Sequence, residues 1–309
     1  MAIVNSATLN ALRVSFSKKF QEGVARAQPQ LTAIATVVQS SSKSNTYGWL
    51  GQFPKFREWI GDRVLNSMKE HAYAVTNKTF ESTVAVLRDD IEDDNVSVYA
   101  PMMDEMGYAA AVFPDELAFP LLKAGFTTLC YDGQNFFDTD HPVNANVDGS
   151  GADTSVSNVI IDGAYVGEPW FLLDVSRSLK PIIFQERRKA QFNVMDNPDD
   201  EAVFMSNQFR YGTDMRCNVG YGFWQMAVGV KKTLGYQTVW DAISLMKSFK
   251  ADGGRPLGLG KGKLLLVVPS NMEQLALQLK EREHIDDGSG TTVSNELRNK
   301  FDVLVADFL

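Results

Sequence analysis

The run from Trp59 to Gly125 constrains the fold most, because it alternates apolar and polar residues without closing into a compact unit. It reads Arg63-Val64-Leu65, then His71-Ala-Tyr-Ala-Val75, breaks at Thr76-Asn77-Lys78, and resumes as Phe80-Glu-Ser-Thr-Val84-Ala-Val86. Phe80, Val84 and Val86 share one side of an extended chain while Thr79, Glu81 and Thr83 share the other, the two-residue period of a half-buried strand. The pattern predicts a long two-stranded ribbon. Two strands enclose no core, so the side carrying Tyr73, Val75, Phe80, Val84 and Val86 needs a surface supplied from elsewhere, which another subunit can provide.

Size is no obstacle to burial elsewhere. A chain of 309 residues hides roughly three quarters of its unfolded surface, enough for one large or two modest cores. The net charge of -8, with Lys and Arg scattered, argues against a sequence-specific nucleic-acid binder, which gathers basic residues on one surface. The start, Met1-Ala-Ile-Val-Asn-Ser, lacks the pattern of a secretory signal. No apolar run approaches the roughly 20 residues of a membrane span, so no membrane partner is expected. Cys130 and Cys217 lie far apart and read as small buried apolar residues in a reducing compartment.

Along the chain, Ala7 to Gly23 has helical spacing, with Leu9, Leu12, Phe16 and Phe20 on one side and Gly23 as a stop. The polar run Gln39 to Thr46 follows, and then Tyr47, Trp49, Phe53, Phe56 and Trp59, which need a partner surface. This alternation suits a tail docking on a neighbour and equally an extension packed on its own domain. Arg88-Asp-Asp-Ile-Glu-Asp-Asp-Asn95 reads as an acidic lead into a helix from about Ser97 to Ala124. Pro114 and Pro120 predict a bend or restart there, with Pro114-Asp115-Glu116 opening a second segment. Residues 127–233 read as strands and long connections, with Asn144 to Asp162 a polar loop and Trp170–Leu173, Pro181–Phe184 and Trp224–Val228 as strands. Beyond them come a helix from Val239 to Phe249, a buried strand Leu264–Val268, a capping box at Ser270-Asn-Met-Glu273 opening the helix Met272 to Arg282, a polar loop from Glu283 to Val293, and an alternating strand from Phe301 to Phe308.

Catalytic patterns are sparse. Asp138, Asp140 and His141 offer oxygen and nitrogen ligands suited to a divalent metal in a hydrolase, but no second histidine cluster completes a site, and a turn before Pro142 explains the same residues. Gly258-Leu-Gly-Lys-Gly-Lys263 departs from the phosphate-binding GxxxxGK[ST] pattern and precedes a strand rather than a helix, which favours a flexible basic loop. No GxSxG elbow occurs, and Cys130 has no recognisable histidine partner. The expectation is a non-enzyme with no catalytic residue, cofactor or metal.

Ser44-Asn-Thr-Tyr-Gly-Trp-Leu-Gly51, Asn77-Lys-Thr-Phe-Glu81, Arg88 to Asn95, Cys130-Tyr-Asp-Gly-Gln-Asn-Phe-Phe-Asp138, Phe184-Gln-Glu-Arg-Arg-Lys189, Gly222-Phe-Trp-Gln-Met-Ala-Val228 and Thr292-Val-Ser-Asn-Glu296 resemble, in the same order, the major head subunits of bacteriophage Mu and Mu-like prophages. The resemblance implies an α+β major capsid protein of the Hong Kong 97 type, built of an N-terminal arm (1–57), an extended β-hairpin loop (58–95), a peripheral domain (96–234) with a spine helix (about 97–124), an axial α/β domain (235–300) and a terminal strand (301–309), for which a return to the peripheral domain is one placement. It implies self-assembly as pentamers and hexamers into an icosahedral head around double-stranded DNA held by weak, nonspecific contact. Further implied partners are a scaffold or maturation protease, a portal protein and a decoration protein, with assembly in the bacterial host cytoplasm and the product located in the virion. Tyr47, Trp49, Phe53, Tyr73, Val75, Phe80, Val84 and Val86 are the candidate subunit contacts. A minor virion surface protein would share the arm and the β-rich middle. Lysine–asparagine crosslinking through Lys78 lacks any marked catalytic acid beside it.

Overall fold

The computed structural model describes residues 4–50, 73–93, 95–147, 150–286 and 290–309. It begins with α1 (Ser6–Arg26), capped by Asn5, whose side chain accepts the Thr8 N–H at 2.9 Å. Leu9, Phe16 and Phe20 are buried along it, as their spacing predicts, but Gly23 lies inside the helix and does not stop it. The short α2 (Leu31–Ile34) leads into β1 (Ala35–Gln39), followed by β2 (Ser44–Thr46), β3 (Ala74–Thr76) and β4 (Lys78–Leu87). The acidic run folds into a turn of its own, α3 (Arg88–Glu92), before a 3-10 turn and the long α4 (Ala100–Ala124).

Pro114 and Pro120 both sit within α4, which runs through them without restarting. Packing against α1 and the adjacent sheet offsets the hydrogen bond each proline omits. Asp115 starts no new segment. Its carboxylate reaches across to α2 instead, accepting the N–H groups of Gln30 at 2.8 Å and Leu31 at 2.6 Å.

The second half of the chain supplies β5 (His141–Asn144), β6 (Asp153–Val156), β7 (Val159–Ile161), β8 (Trp170–Asp174), β9 (Ile182–Met195), α5 (Glu201–Ser206), β10 (Gln208–Tyr221) and β11 (Ala227–Lys231). After these come α6 (Tyr236–Ser248), β12 (Lys250–Ala251), β13 (Arg255–Pro256), β14 (Leu264–Val268), α7 (Glu273–Glu281), β15 (His284–Asp286), β16 (Thr292–Ser294) and β17 (Asp302–Val305). Four local expectations change. The stretch read as a polar loop, Asn144 to Asp162, starts on the last residue of β5 and contains β6 and β7, Glu283 to Val293 holds one strand and the start of the next in the β15–β16 pair, and no side-chain cap bond forms at the start of α7. Trp224–Met226 is a 3-10 turn, so the strand there starts at Ala227.

Two main sheets organise the molecule. The first runs β1-β9-β10-β4, with β1 parallel to β9 and the other neighbours antiparallel. Of the expected ribbon, Trp59 to Ala72 lies outside the described residues; in the part described, β3 pairs with β2, while β4 pairs with β10 from Lys78↔Cys217 to Leu87↔Gln208. The break at Asn77 separates the two strands, and its N–H donates to the Lys43 carbonyl at 2.9 Å. One face of the sheet is covered by α1 and α4. Phe16 meets Tyr211 edge-on at 5.0 Å, Phe20 lies 5.4 Å from Phe192, and Phe80 lies 4.6 Å from Phe113 of α4. The helices touch backbone to backbone. A Cβ at Gly23 would stand 1.9 Å from the Asp104 carbonyl oxygen, and one at Gly107 would stand 2.0 Å from that of Phe20.

The second sheet runs β17-β14-β8-β11-β7. Every residue of β8 and β14 is buried, which explains their unbroken apolar runs. Helix α6 packs on β11, and α7 on β14 and β17. A boundary at 234/235 would cut through this sheet, because β14 pairs with β8 and β8 with β11. The terminal strand belongs here too, parallel to β14 from Asp302↔Leu265 to Val305↔Val268.

Candidate assembly surfaces

Seven of the eight candidate contact residues lie in the described structure, and Phe53 lies outside the described residues. The structure turns most of these seven inward. Tyr47 is buried, its ring edge-on to Trp49 at 5.9 Å, and its hydroxyl donates to Gln185 Oε1 at 2.8 Å. Trp49 in turn lies 5.8 Å from Phe223. Gln185 Nε2 donates to the Val75 carbonyl at 3.0 Å and to Asn77 Oδ1 at 2.8 Å, and Asn77 Nδ2 donates to Ser40 Oγ at 2.9 Å. The Tyr73 hydroxyl accepts the Tyr221 N–H at 2.7 Å, and burial pushes its pKa up to about 12. Val75 and Val86 are buried, while Phe80 and Val84 are half-buried against the same core. The apolar side of this segment therefore finds most of its cover within its own chain, chiefly on α4 and β10.

The three residues of the metal reading also take up partners of their own. Asp138 Oδ2 accepts from Asn135 N at 3.1 Å and Asn135 Nδ2 at 2.9 Å, and Oδ1 accepts from Thr139 N at 2.8 Å. Burial alone would raise its pKa, but these bonds outweigh burial and hold it below the usual carboxylate range. Asp138 is thus a turn-forming residue. His141 is fully buried and stacks on Trp224 at 4.0 Å, with Nδ1 2.7 Å from Asp132 Oδ2. Cys130 Sγ donates to Asp132 Oδ1 at 3.0 Å, so the ligand atoms nearest His141 come from Asp132 and Cys130 rather than from Asp138 and Asp140. Asp132 is thus bonded to both neighbours, while His141 Nε2 is buried without a hydrogen-bond partner among the described residues. Burial also drives the thiol pKa far up, which keeps it protonated and a poor ligand. The trio pins the loop before β5 onto the Trp224 turn.

The face of the first sheet turned away from α1 and α4 has another character. Arg187, Arg188 and Lys189 are all exposed in succession, although a regular strand would alternate them. The β9–β10 ladder shifts register between Asp214 and Arg216, and again between Arg216 and Cys217, so β9 carries two extra residues where the basic run lies. Bulges of this kind re-aim side chains. Arg188 then stands directly across from Arg216 and forms an ion pair with Asp214. Arg216 Nε is buried without a hydrogen-bond partner among the described residues. At the far end of the same hairpin, Phe204 is 88% exposed and Met205 72% exposed on α5. Sequence reading missed both features, since a three-residue basic run is unremarkable until a bulge presents it on one surface.

A curated relative, the major capsid protein of Escherichia phage Mu, is 52% identical over 307 residues, covering 99% of this chain and all of its own length. A chain from the solved procapsid of bacteriophage JBD30 is 50% identical and superposes with a TM-score of 0.84, covering 99% of this chain and all of its own. A chain from the JBD30 capsid decorated with minor capsid protein trimers is 36% identical and superposes at 0.74, with both chains fully covered. These likenesses carry the α+β, Hong Kong 97-type capsid architecture, and the relatives are shell proteins rather than enzymes. Residues 9–309 match the model for the Mu-like prophage major head subunit gpT, and the chain belongs to that family of phage head proteins.

Proposed function

We propose that this chain is the principal building block of an icosahedral phage head, self-assembling as pentamers and hexamers around double-stranded DNA. The observation that carries this reading is the end-to-end likeness to a procapsid subunit across both main sheets. One subunit type placed head-to-tail forms closed rings, and small changes of rotation accommodate five or six copies. The first sheet with α1 and α4 serves as the peripheral body and the second sheet with α6 and α7 as the axial body. Phe53, Phe80 and Val84 remain the candidates for contact with neighbours. Tyr47, Trp49, Tyr73, Val75 and Val86 contribute indirectly, by holding β3 and β4 in place.

The remaining partners follow from the same reading. Decoration by a minor capsid protein is supported by the decorated JBD30 relative. A scaffold or maturation protease, a portal protein and assembly in the host cytoplasm belong to the proposal as requirements of filling a closed head. DNA contact is weak and nonspecific, because the chain's net charge of -8 repels phosphate overall. The test is expression with and without the phage's scaffold, followed by negative-stain imaging and sedimentation. Closed particles dominated by this chain are expected, and a monomer under every condition overturns the proposal.

A further inference from the structure

The β9–β10 hairpin carries two patches of opposite charge that one copy cannot bring together. The first is the bulged basic run Arg187-Arg188-Lys189 with Arg216 opposite. Like charges facing each other across a ladder destabilise it unless an anion answers them; Asp214 answers Arg188 within the chain, but Arg216 Nε, unpartnered among the described residues, leaves a demand open. The second patch is the hairpin tip, where Asp199 and Glu201 are exposed beside Phe204 and Met205. The acidic α3 adjoins it: Asn207 Nδ2 donates to Asp89 Oδ1 at 3.0 Å, and Arg88 N donates to the Asn207 carbonyl at 3.0 Å.

Lys189 and Met195 are separated by a length of β9 that spans about 20 Å at the usual strand rise. The continuous ladder with β10 keeps the patches apart. We infer that the acidic tip of one copy, led by Asp199, Glu201 and Phe204, docks on the Arg187-Arg188-Lys189 and Arg216 surface of a second copy of this chain. This rests on the shell-building reading above and names one of its contacts. The chemistry matches on two counts. Carboxylates pair with guanidinium and ammonium groups, and an exposed phenyl ring is well received by guanidinium faces and lysine stems. A tip meeting a mid-strand patch is a heterologous contact, the kind that generates rings.

Charge swapping tests this in the full chain expressed with the phage's scaffold. Arg187→Glu with Lys189→Glu should cut shell yield about tenfold, with only a small drop in the thermal midpoint of the free subunit from losing the Arg187 bond to the Ser40 carbonyl. Asp199→Lys with Glu201→Lys should do the same. The four changes combined should restore much of the yield, because the pair is then reversed but again complementary. Lys189→Glu alone, which removes no intrachain bond, guards against a folding artefact and should give a smaller loss. Normal shells from either reversed pair, or a fourfold variant no better than its parts, overturn the inference. So does a basic-patch variant with normal shells but diminished nucleic acid inside, which would assign that surface to DNA. If even the unaltered chain builds no shell, the shell-building reading itself fails, a result distinct from all of these.

Discussion

The two faces of the β1-β9-β10-β4 sheet are built on opposite principles. On the covered face, Phe16, Phe20 and Phe80 meet Tyr211, Phe192 and Phe113, and α1 presses on α4 closely enough that Gly23 and Gly107 have no room for a side chain. On the bare face and at the tip of its hairpin, the side chains are charged, the ladder is bulged, and Phe204 stands in solvent. The first face is finished within one copy and sets subunit stability. The second is left unfinished, which is what a subunit needs if neighbours are to complete it.

Substitutions separate the two most sharply where they act on one face alone. Gly107→Leu should be the most damaging, because its Cβ meets the Phe20 backbone and a backbone cannot yield as a side chain can. Overpacking of this kind costs about 3 kcal/mol or more, and denaturant unfolding of the isolated subunit should show it as a lowered midpoint. Gln185→Leu comes next, taking the acceptor from the Tyr47 hydroxyl and the donor from Asn77 Oδ1 at a cost of about 2 kcal/mol. An unchanged midpoint in Gly107→Leu would mean that the covered face is not what stabilises the subunit, whereas Gln185, across from Asn218 on the other face, reports on the seat of β2 and β3.

Acid should also act on the closed parts of the molecule first. Burial would raise the Asp132 pKa, but the bond and charge of His141 outweigh it and leave the carboxyl below its ordinary value. A carboxyl depressed on folding contributes fully above its unfolded pKa of about 3.9, and that contribution fades as pH falls through the folded value. Stability of the parent should therefore drop faster below about pH 4 than that of Asp132→Asn, as measured by unfolding midpoints across that range. Phe204→Ser with Met205→Ser should have the smallest effect on the free subunit, within about 0.5 kcal/mol, yet should lower shell yield.

Much of the buried interior of both sheets was legible in the sequence. Leu9, Phe16 and Phe20 at helical spacing gave α1 its buried side, and the unbroken Leu264–Val268 run marked a fully buried strand. Strand partners were not legible. The alternation in Lys78–Leu87 is the same whether β4 pairs with its predecessor or with β10, because periodicity sets which side is buried and not who covers it. Gly23 looked like a helix stop because that role and a helix–helix contact use the same residue, and only the α4 backbone distinguishes them. Asp138, Asp140 and His141 are close in sequence, but the carboxylate that meets His141 belongs to Asp132, on the other side of a turn. The basic surface escaped notice because two bulges create it, and bulges leave no mark in residue spacing.

Hydrogen exchange compared between free subunits and assembled shells tests the division between finished and unfinished faces most directly. Amides of α1 and α4 should be equally protected in both states, while residues 199–206 and 187–189 should gain protection only in shells. Protection of α1 that appears only on assembly, with the hairpin tip exchanging freely in both states, would contradict it.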